Sequence, residues 1–184
     1  MELEQVIKTR RSVRKYANKP VEREKINACL EAARLAPSAC NSQPWEFIVI
    51  DDPQVKAEFA KEAFSGAYKM SAWVASAPVI VAAVSDKGSF ISRVGGFLRR
   101  TEFYLVDHGI ACEHFVLRAW DLGLGTCWIG WVNSEKAGKF FNLPPSKRIE
   151  HLIAVGYPAP EALQAAPHAR KKFDEIVSYN EYKK

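Results

Sequence analysis

Five residues near the start of the chain, Arg10-Arg11-Ser12-Val13-Arg14, bring three guanidiniums and a hydroxyl into one short stretch. A guanidinium is a planar fork that matches phosphate oxygens, and a serine adds a short donor, so this group is a phosphate candidate. The competing use is a solvated helix end, where cations meet the negative end of the helix dipole. A second segment, residues 36–45, holds Ser38, Asn41, Ser42 and Gln43 between Pro37 and Pro44 and ends in Trp45. Polar side chains fixed between two prolines suit the edge of a heterocycle. A capped turn leading into a strand, with Trp45 in the core, uses the same residues equally well. The third segment runs Leu122-Gly123-Leu124-Gly125-Thr126-Cys127-Trp128-Ile129-Gly130. Gly125 and Gly130 permit close backbone approach, which leaves bare amides for a planar ligand.

Other chemistries find less support. Cys127 has no histidine or acid at a telling position beside it, so it is not read as a nucleophile. The four cysteines, Cys29, Cys40, Cys112 and Cys127, form no C-x-x-C pair and read as reduced thiols. His108 and His114 lie six apart and do not share a helix face. His108 and Cys112 do, at i and i+4, but lack a third ligand, and His151 and His168 stand isolated, so no metal site is expected. The spacing of Gly125 and Gly130 fits a phosphate loop, yet Trp131-Val132 follows where Lys and Ser or Thr are needed. Gly123-Leu124-Gly125 lacks the third glycine of a dinucleotide loop and follows a helix instead of a strand.

These segments need a scaffold, and 184 residues supply one domain. The 48% hydrophobic and 26% charged composition is that of a globular fold and excludes disorder. A net charge of +5 is too small to announce a nucleic-acid binder. The longest apolar run, residues 73–84, is interrupted by Ser76 and Pro78 and falls short of the ~20 residues a membrane span requires. The acidic start, Met1-Glu2-Leu3-Glu4-Gln5, does not resemble a secretory signal. A cytoplasmic protein with no membrane partner is expected.

The periodicities predict a first helix with Leu3, Val6 and Ile7 on one face. A second helix over residues 22–35 presents Ile26, Cys29, Leu30 and Ala33 and is broken by Pro37. Phe47-Ile48-Val49-Ile50 reads as a buried strand, residues 54–64 as a helix and residues 79–84 as a second buried strand. Residues 102–122 form the longest helix, apolar on most sides and stopped at Gly123. Strands near residues 126–131 and 151–155 flank a short helix with Ser134 as its cap. The tail from Gly156 carries Pro158, Pro160 and Pro167, too many for a single helix, and is expected to lie on a surface, a partner chain's included.

In order along the chain, these segments resemble the nitroreductase family of FMN-dependent oxidoreductases. Arg10 to Tyr16 is similar to the family's N-terminal flavin-phosphate motif. Ala36-Pro37-Ser38, Asn41 and Gln43-Pro44-Trp45 are similar to its second motif, and Gly123 to Gly130 to its third. Leu152-Ile153-Ala154-Val155-Gly156-Tyr157-Pro158 is similar to the strand that follows, and Arg170-Lys171-Lys172-Phe173-Asp174-Glu175-Ile176-Val177 to the closing basic motif.

The resemblance implies an α+β fold with a central mixed, mostly antiparallel sheet flanked by helices. It also implies a homodimer that exchanges its C-terminal strand and holds two FMN molecules at the interface. Arg10, Arg11 and Ser12 are then assigned to the phosphate and ribityl chain, joined by Arg170 and Lys171 from the far end. Arg14 is assigned to the N1 and O2 side of the flavin, where it tunes the ring. Pro37, Ser38, Asn41 and Gln43 approach the flavin, Pro37, Ser38 and Asn41 from the other subunit. The backbone of Trp128, Ile129 and Gly130 faces the dimethylbenzene or the pyrimidine side. The implied activity is ping-pong: NADH or NADPH gives hydride to the flavin, then a nitroaromatic, quinone or similar flat electrophile accepts it, with no protein acid or base required. A non-catalytic flavin carrier and a reductive dehalogenase are the alternatives. Two departures stand out: residues 65–72 show no clear match to the Asn and Lys that many relatives place beside the ring, and His168 stands where a Lys often occurs. The glycine- and arginine-containing segment 86–101 reads as a basic lid or as a solvated loop.

Overall fold

The computed structural model describes residues 1–86, 101–164 and 169–182. His168 and nearly all of the 86–101 segment lie outside them.

Helix α1 (Leu3–Thr9) buries only Val6, while Leu3 and Ile7 face outward, so the expected common buried face is not formed within the chain. Helix α2 (Arg23–Arg34) buries Ile26, Cys29 and Ala33 along one stripe. Strand β1 (Trp45–Ile50) follows, then helix α3 (Pro53–Ala63). The Asp52 carboxylate accepts from the amides of Gln54 and Val55, both at 2.9 Å, and Pro53 occupies the first helical position, where no amide is needed. A 3-10 stretch (Gly66–Ser76) leads to strand β2 (Val79–Asp86), which is buried over seven consecutive residues.

Helix α4 (Phe103–Asp121) buries Asp107, His108, Ala111, Cys112, Phe115, Val116 and Ala119 at helical spacing and leaves Leu105 and Val106 exposed. Gly123 ends it at φ +79°: its amide bonds to the Trp120 carbonyl and that of Leu124 to Ala119, the paired closure that a left-handed residue permits. Strand β3 (Gly125–Ile129), helix α5 (Ser134–Phe140) and strand β4 (Lys147–Gly156) complete the core. Asn133, not Ser134, caps α5: its side chain accepts from the Lys136 amide and Ser134 is already helical. Short helices α6 (Pro160–Gln164) and α7 (Phe173–Ile176) interrupt the tail, and residues 169–182 contribute no strand.

The sheet order is β1-β2-β4-β3, and every strand pair is antiparallel. The expected mixed character is reduced to one isolated parallel bridge, Ser12 to Thr126. Between β2 and β4 the register shifts: Ala83 pairs with His151 but Val84 pairs with Ile149, leaving Glu150 as the extra residue of a bulge. Ile149 and Leu152 therefore pack on one face of the sheet, although they are three positions apart. His151 turns to the opposite face, against α4.

Helices α2 and α4 cover one side with Trp45, Val81, Ala83, Ile153 and Val155; α3, the 3-10 stretch and α5 cover the other with Ile80, Ala82, Val84 and Leu152. A strand buried on both sides, as β2 is, carries the apolar run that its sequence shows. Among the described residues no helix is long and apolar enough to cross a membrane.

Candidate functional site

The basic segment is a strap laid along β3. The Val13 amide donates to the Thr126 carbonyl at 2.8 Å, and Ser12 bridges the same residue. Farther on, Ala17 donates to the Tyr157 carbonyl, Ala159 donates to the Lys15 carbonyl, and Tyr16 bridges Pro158. Extended backbone alternates its side chains, so Val13 enters the core while Ser12 and Arg14 face outward. Gly125 makes the close packing possible: a Cβ there would lie 2.6 Å from Val13 Cγ2. Its bareness therefore serves the strap, a use that its spacing did not reveal. Gly130 stands in open space, with nothing within 4 Å of an added Cβ.

The cations of the strap differ in their engagements. Arg10 is half-buried, and its Nε lies 3.8 Å from Glu113, a loose pair. Burial pushes the Glu113 carboxyl up, with the Arg10 charge opposing. Arg11 Nη1 donates to the Leu163 carbonyl at 3.1 Å, which turns it toward α6. Arg14 is exposed and close enough to Cys127 for its charge to be felt there. Burial nonetheless raises the Cys127 thiol, as it does Cys29 and Cys112, both pushed up to about 12. Such thiols remain protonated and are poor nucleophiles.

The segment between Pro37 and Pro44 is a tight loop with three non-glycine residues in the left-handed region: Cys40 (φ 52°), Asn41 (φ 51°) and Gln43 (φ 45°). Few side chains adopt that region without local support. Here Ser38 Oγ accepts from the Gln43 amide at 2.9 Å, and Gln43 Nε2 donates to the backbone and side-chain oxygens of Asn41, each at 3.2 Å. The buried Asp107 of α4 accepts from the Ala39 amide at 2.9 Å and from Ser42 Oγ at 3.5 Å. Pro37, Asn41 and Gln43 are left exposed, and Trp45 is in the core. Sequence reading missed Asp107. The only local signal was an acid within the apolar stripe of a buried helix, a position that demands a partner.

At the end of β3, the Trp128 ring stacks on His151, with centroids 4.4 Å apart and planes 20° from parallel. Ile129 is buried and Gly130 exposed. Trp131 donates from its indole to the Ala67 carbonyl at 3.0 Å, tying this end to the 3-10 stretch. His151, isolated in the sequence, meets Cys112 and His108 here: one ligand-type atom from each lies within 4.8 Å of the other two. Burial holds both imidazoles below their ordinary range, His151 down to about 3. The third partner that the i, i+4 pair lacked is present after all.

The structure thus brings Arg10, Ser12, Arg14 and the Trp128–Gly130 backbone to one side of β3. Arg170 and Lys171 lie in the exposed tail, and neither finds a hydrogen bond or ion pair among the described residues.

A strap of outward cations is thus hydrogen-bonded to the β3 edge of an antiparallel α+β domain, and a strained polar loop leads into β1 at the other edge. The model of the nitroreductase family matches residues 7–157, and the chain belongs to that family. Its relatives include a putative NADH dehydrogenase/NAD(P)H nitroreductase of Methanothermobacter thermautotrophicus, 32% identical over 95% of this chain and 84% of that protein. An FMN reductase [NAD(P)H] of Bacillus subtilis is 28% identical, over 92% of this chain and 74% of that protein. The crystal structure of a nitroreductase family protein from Clostridium novyi NT superposes with a TM-score of 0.76 at 33% identity, covering 88% of this chain and 87% of that one.

Proposed function

We propose that the chain binds FMN along the strap and β3, takes hydride from NADH or NADPH, and delivers it to flat electrophilic acceptors such as nitroaromatics and quinones. The coarser statement, an NAD(P)H-dependent oxidoreductase of the nitroreductase family, rests on the family match and on relatives at this level of identity. The observation that carries the finer reading is the strap itself. Val13 is locked into β3 by a hydrogen bond and by Gly125, so Ser12 and Arg14 are held outward without relying on long side chains to find their place.

The donor set fits FMN. Arg10, only loosely paired, and Ser12 offer a charged fork and a short hydroxyl to a phosphate, and Arg14 brings a cation to the ring. The open backbone at Gly130 leaves room for a planar group. FMN, when bound, supplies the two-electron chemistry that no side chain here performs. The protein's part is to bind, orient and exclude water. The Asp107 anchor holds Ser38, Asn41 and Gln43 in one conformation, so their polar groups are ordered before ligand arrives.

The assembly we propose is a homodimer. Leu3, Ile7, Leu35, Met70, Val106, Phe173 and Ile176 expose apolar surface in the single chain, more than a monomer usually leaves in water. In a dimer the tail carries Arg170 and Lys171 onto the partner's phosphate site. All four cysteines are free, in keeping with a reducing compartment such as the cytoplasm.

Stopped-flow spectroscopy of the FMN-loaded protein tests the reading. Bleaching of the flavin band by NADH or NADPH, followed by reoxidation with a nitroaromatic or quinone, is expected. A protein that is colourless after FMN loading and dialysis excludes the cofactor. Retained flavin that neither nucleotide reduces makes the chain a carrier. Arg10→Ala is expected to raise the FMN Kd by about 10-fold or more.

A further inference from the structure

Beneath Trp128 lies a group that the flavin reading does not use. His108 and Cys112 sit one turn apart on α4, and His151 faces them from β4, in alternation with Ile153 and Val155. His151 Nε2 lies 3.2 Å from Cys112 Sγ, and the two imidazoles meet edge to face at 5.0 Å. His108 is 1% exposed, yet neither ring nitrogen has a hydrogen-bond partner among the described residues. The Val84 carbonyl lies near enough to favour a proton on the ring, but outside hydrogen-bonding geometry. A buried imidazole with both nitrogens idle is costly in a native core and calls for an explanation.

We infer that His108, Cys112 and His151 form a three-coordinate site for a soft monovalent metal ion, Cu+ in particular. A thiolate and two neutral imidazoles are ligands that such an ion selects. Binding forms one metal–sulfur and two metal–nitrogen bonds, breaks the Cys112 S–H bond and passes that proton to solvent, with no change of oxidation state. The thiolate then cancels the charge of Cu+, and the complex is neutral, as a site buried among Phe47, Trp128 and α4 requires. A divalent ion such as Zn2+ leaves one uncompensated charge and wants a fourth ligand. Among the described residues no carboxylate joins the group: the nearby Glu150 accepts from Ser85 Oγ at 2.6 Å and lies 3.8 Å from Arg148. The site stands apart from the flavin reading, since it uses none of the strap or loop residues.

The test is anaerobic competition for Cu+ between the FMN-loaded protein and bicinchoninate, in a Cys40→Ser background because Cys40 is an exposed thiol. One equivalent withheld per chain is expected, with X-ray absorption fine structure showing one sulfur and two imidazole nitrogens. Cys112→Ser should weaken Cu+ by more than the roughly 10–100-fold that loss of an outer-shell partner costs. No withheld Cu+, or withholding that survives Cys112→Ser, overturns the site. Preferential retention of Zn2+ from an equimolar mixture overturns the monovalent assignment. The absorption measurement uses the unsubstituted ligand set, so a variant that fails to fold does not decide the question. Flavin absorbance and NAD(P)H turnover, read in parallel, show separately whether the redox reading stands.

Discussion

The two faces of the sheet are packed on different terms. Against α3 and α5 the core is almost wholly apolar, with Phe59 touching Phe140 and Phe141 at centroid separations of 5.6 and 5.3 Å. Against α2 and α4 it carries Asp107, His108, Thr126 and the alternating partner Ser85, along with His151 and Cys112. Buried polar groups cost stability unless they are paired, so a protein keeps them where position matters more than packing. On the α4 face they hold the 38–43 loop, meet the strap and support Trp128. One face supplies stability, and the other gives some of it up to fix a site.

Substitutions on the two faces should separate these roles. The largest effect is expected from Phe59→Ala, which leaves a cavity in the apolar face: a loss of about 3–5 kcal/mol by urea denaturation. FMN affinity per folded molecule should be unaltered. Asp107→Ala should cost about 2 kcal/mol, because the Ala39 amide and Ser42 hydroxyl lose a charged partner. Unlike Phe59→Ala, it should also release FMN, as followed by flavin fluorescence; unchanged retention would remove the distinction between the faces.

Acid should act on the α4 face as well. His151 and His108 are held neutral in the fold, whereas in the unfolded chain they take protons near 6.5. Below that pH the unfolded state binds more protons, so stability falls as pH drops from 6.5 toward 3. In metal-free protein the slope is at most about 1.4 kcal/mol per pH unit for His151, and His108 adds to it in the same direction. Urea midpoints between pH 7.5 and 5 read it, and His151→Gln should flatten the curve. The smallest effect is expected from Asp52→Ala, which uncaps α3 on the apolar face: about 1 kcal/mol, seen as a lowered Tm with flavin binding intact.

Much of the scaffold was legible because its signals are local. The stripe of Ile26, Cys29 and Ala33 marks α2, the β-branched run marks β2, and Gly123 stops α4 by the left-handed turn that its sequence position promised. The site was legible only in part. The strap was found as a charged motif, but its alternation along β3 and the role of Gly125 in admitting Val13 were not. Gly125 presents the same bare amide whether its neighbour is a ligand or a valine from residue 13, and the spacing of residues near it does not distinguish them. The cap of α5 was misplaced by one residue, since Asn133 and Ser134 are both competent and only the backbone angle chooses.

The sequence by itself determined the elements, the order of the family's segments and the residues rich enough in charge to hold a phosphate. Those properties depend on side-chain type and short-range period, which the chain carries whether folded or not. Only the tertiary structure decided which polar groups meet. Asp107 reaches the loop across 68 residues, and His151 reaches Cys112 across 39. The second meeting follows from alternation along β4, which sets His151 on the face of Ile153 and Val155, and from the packing of α4 across that face.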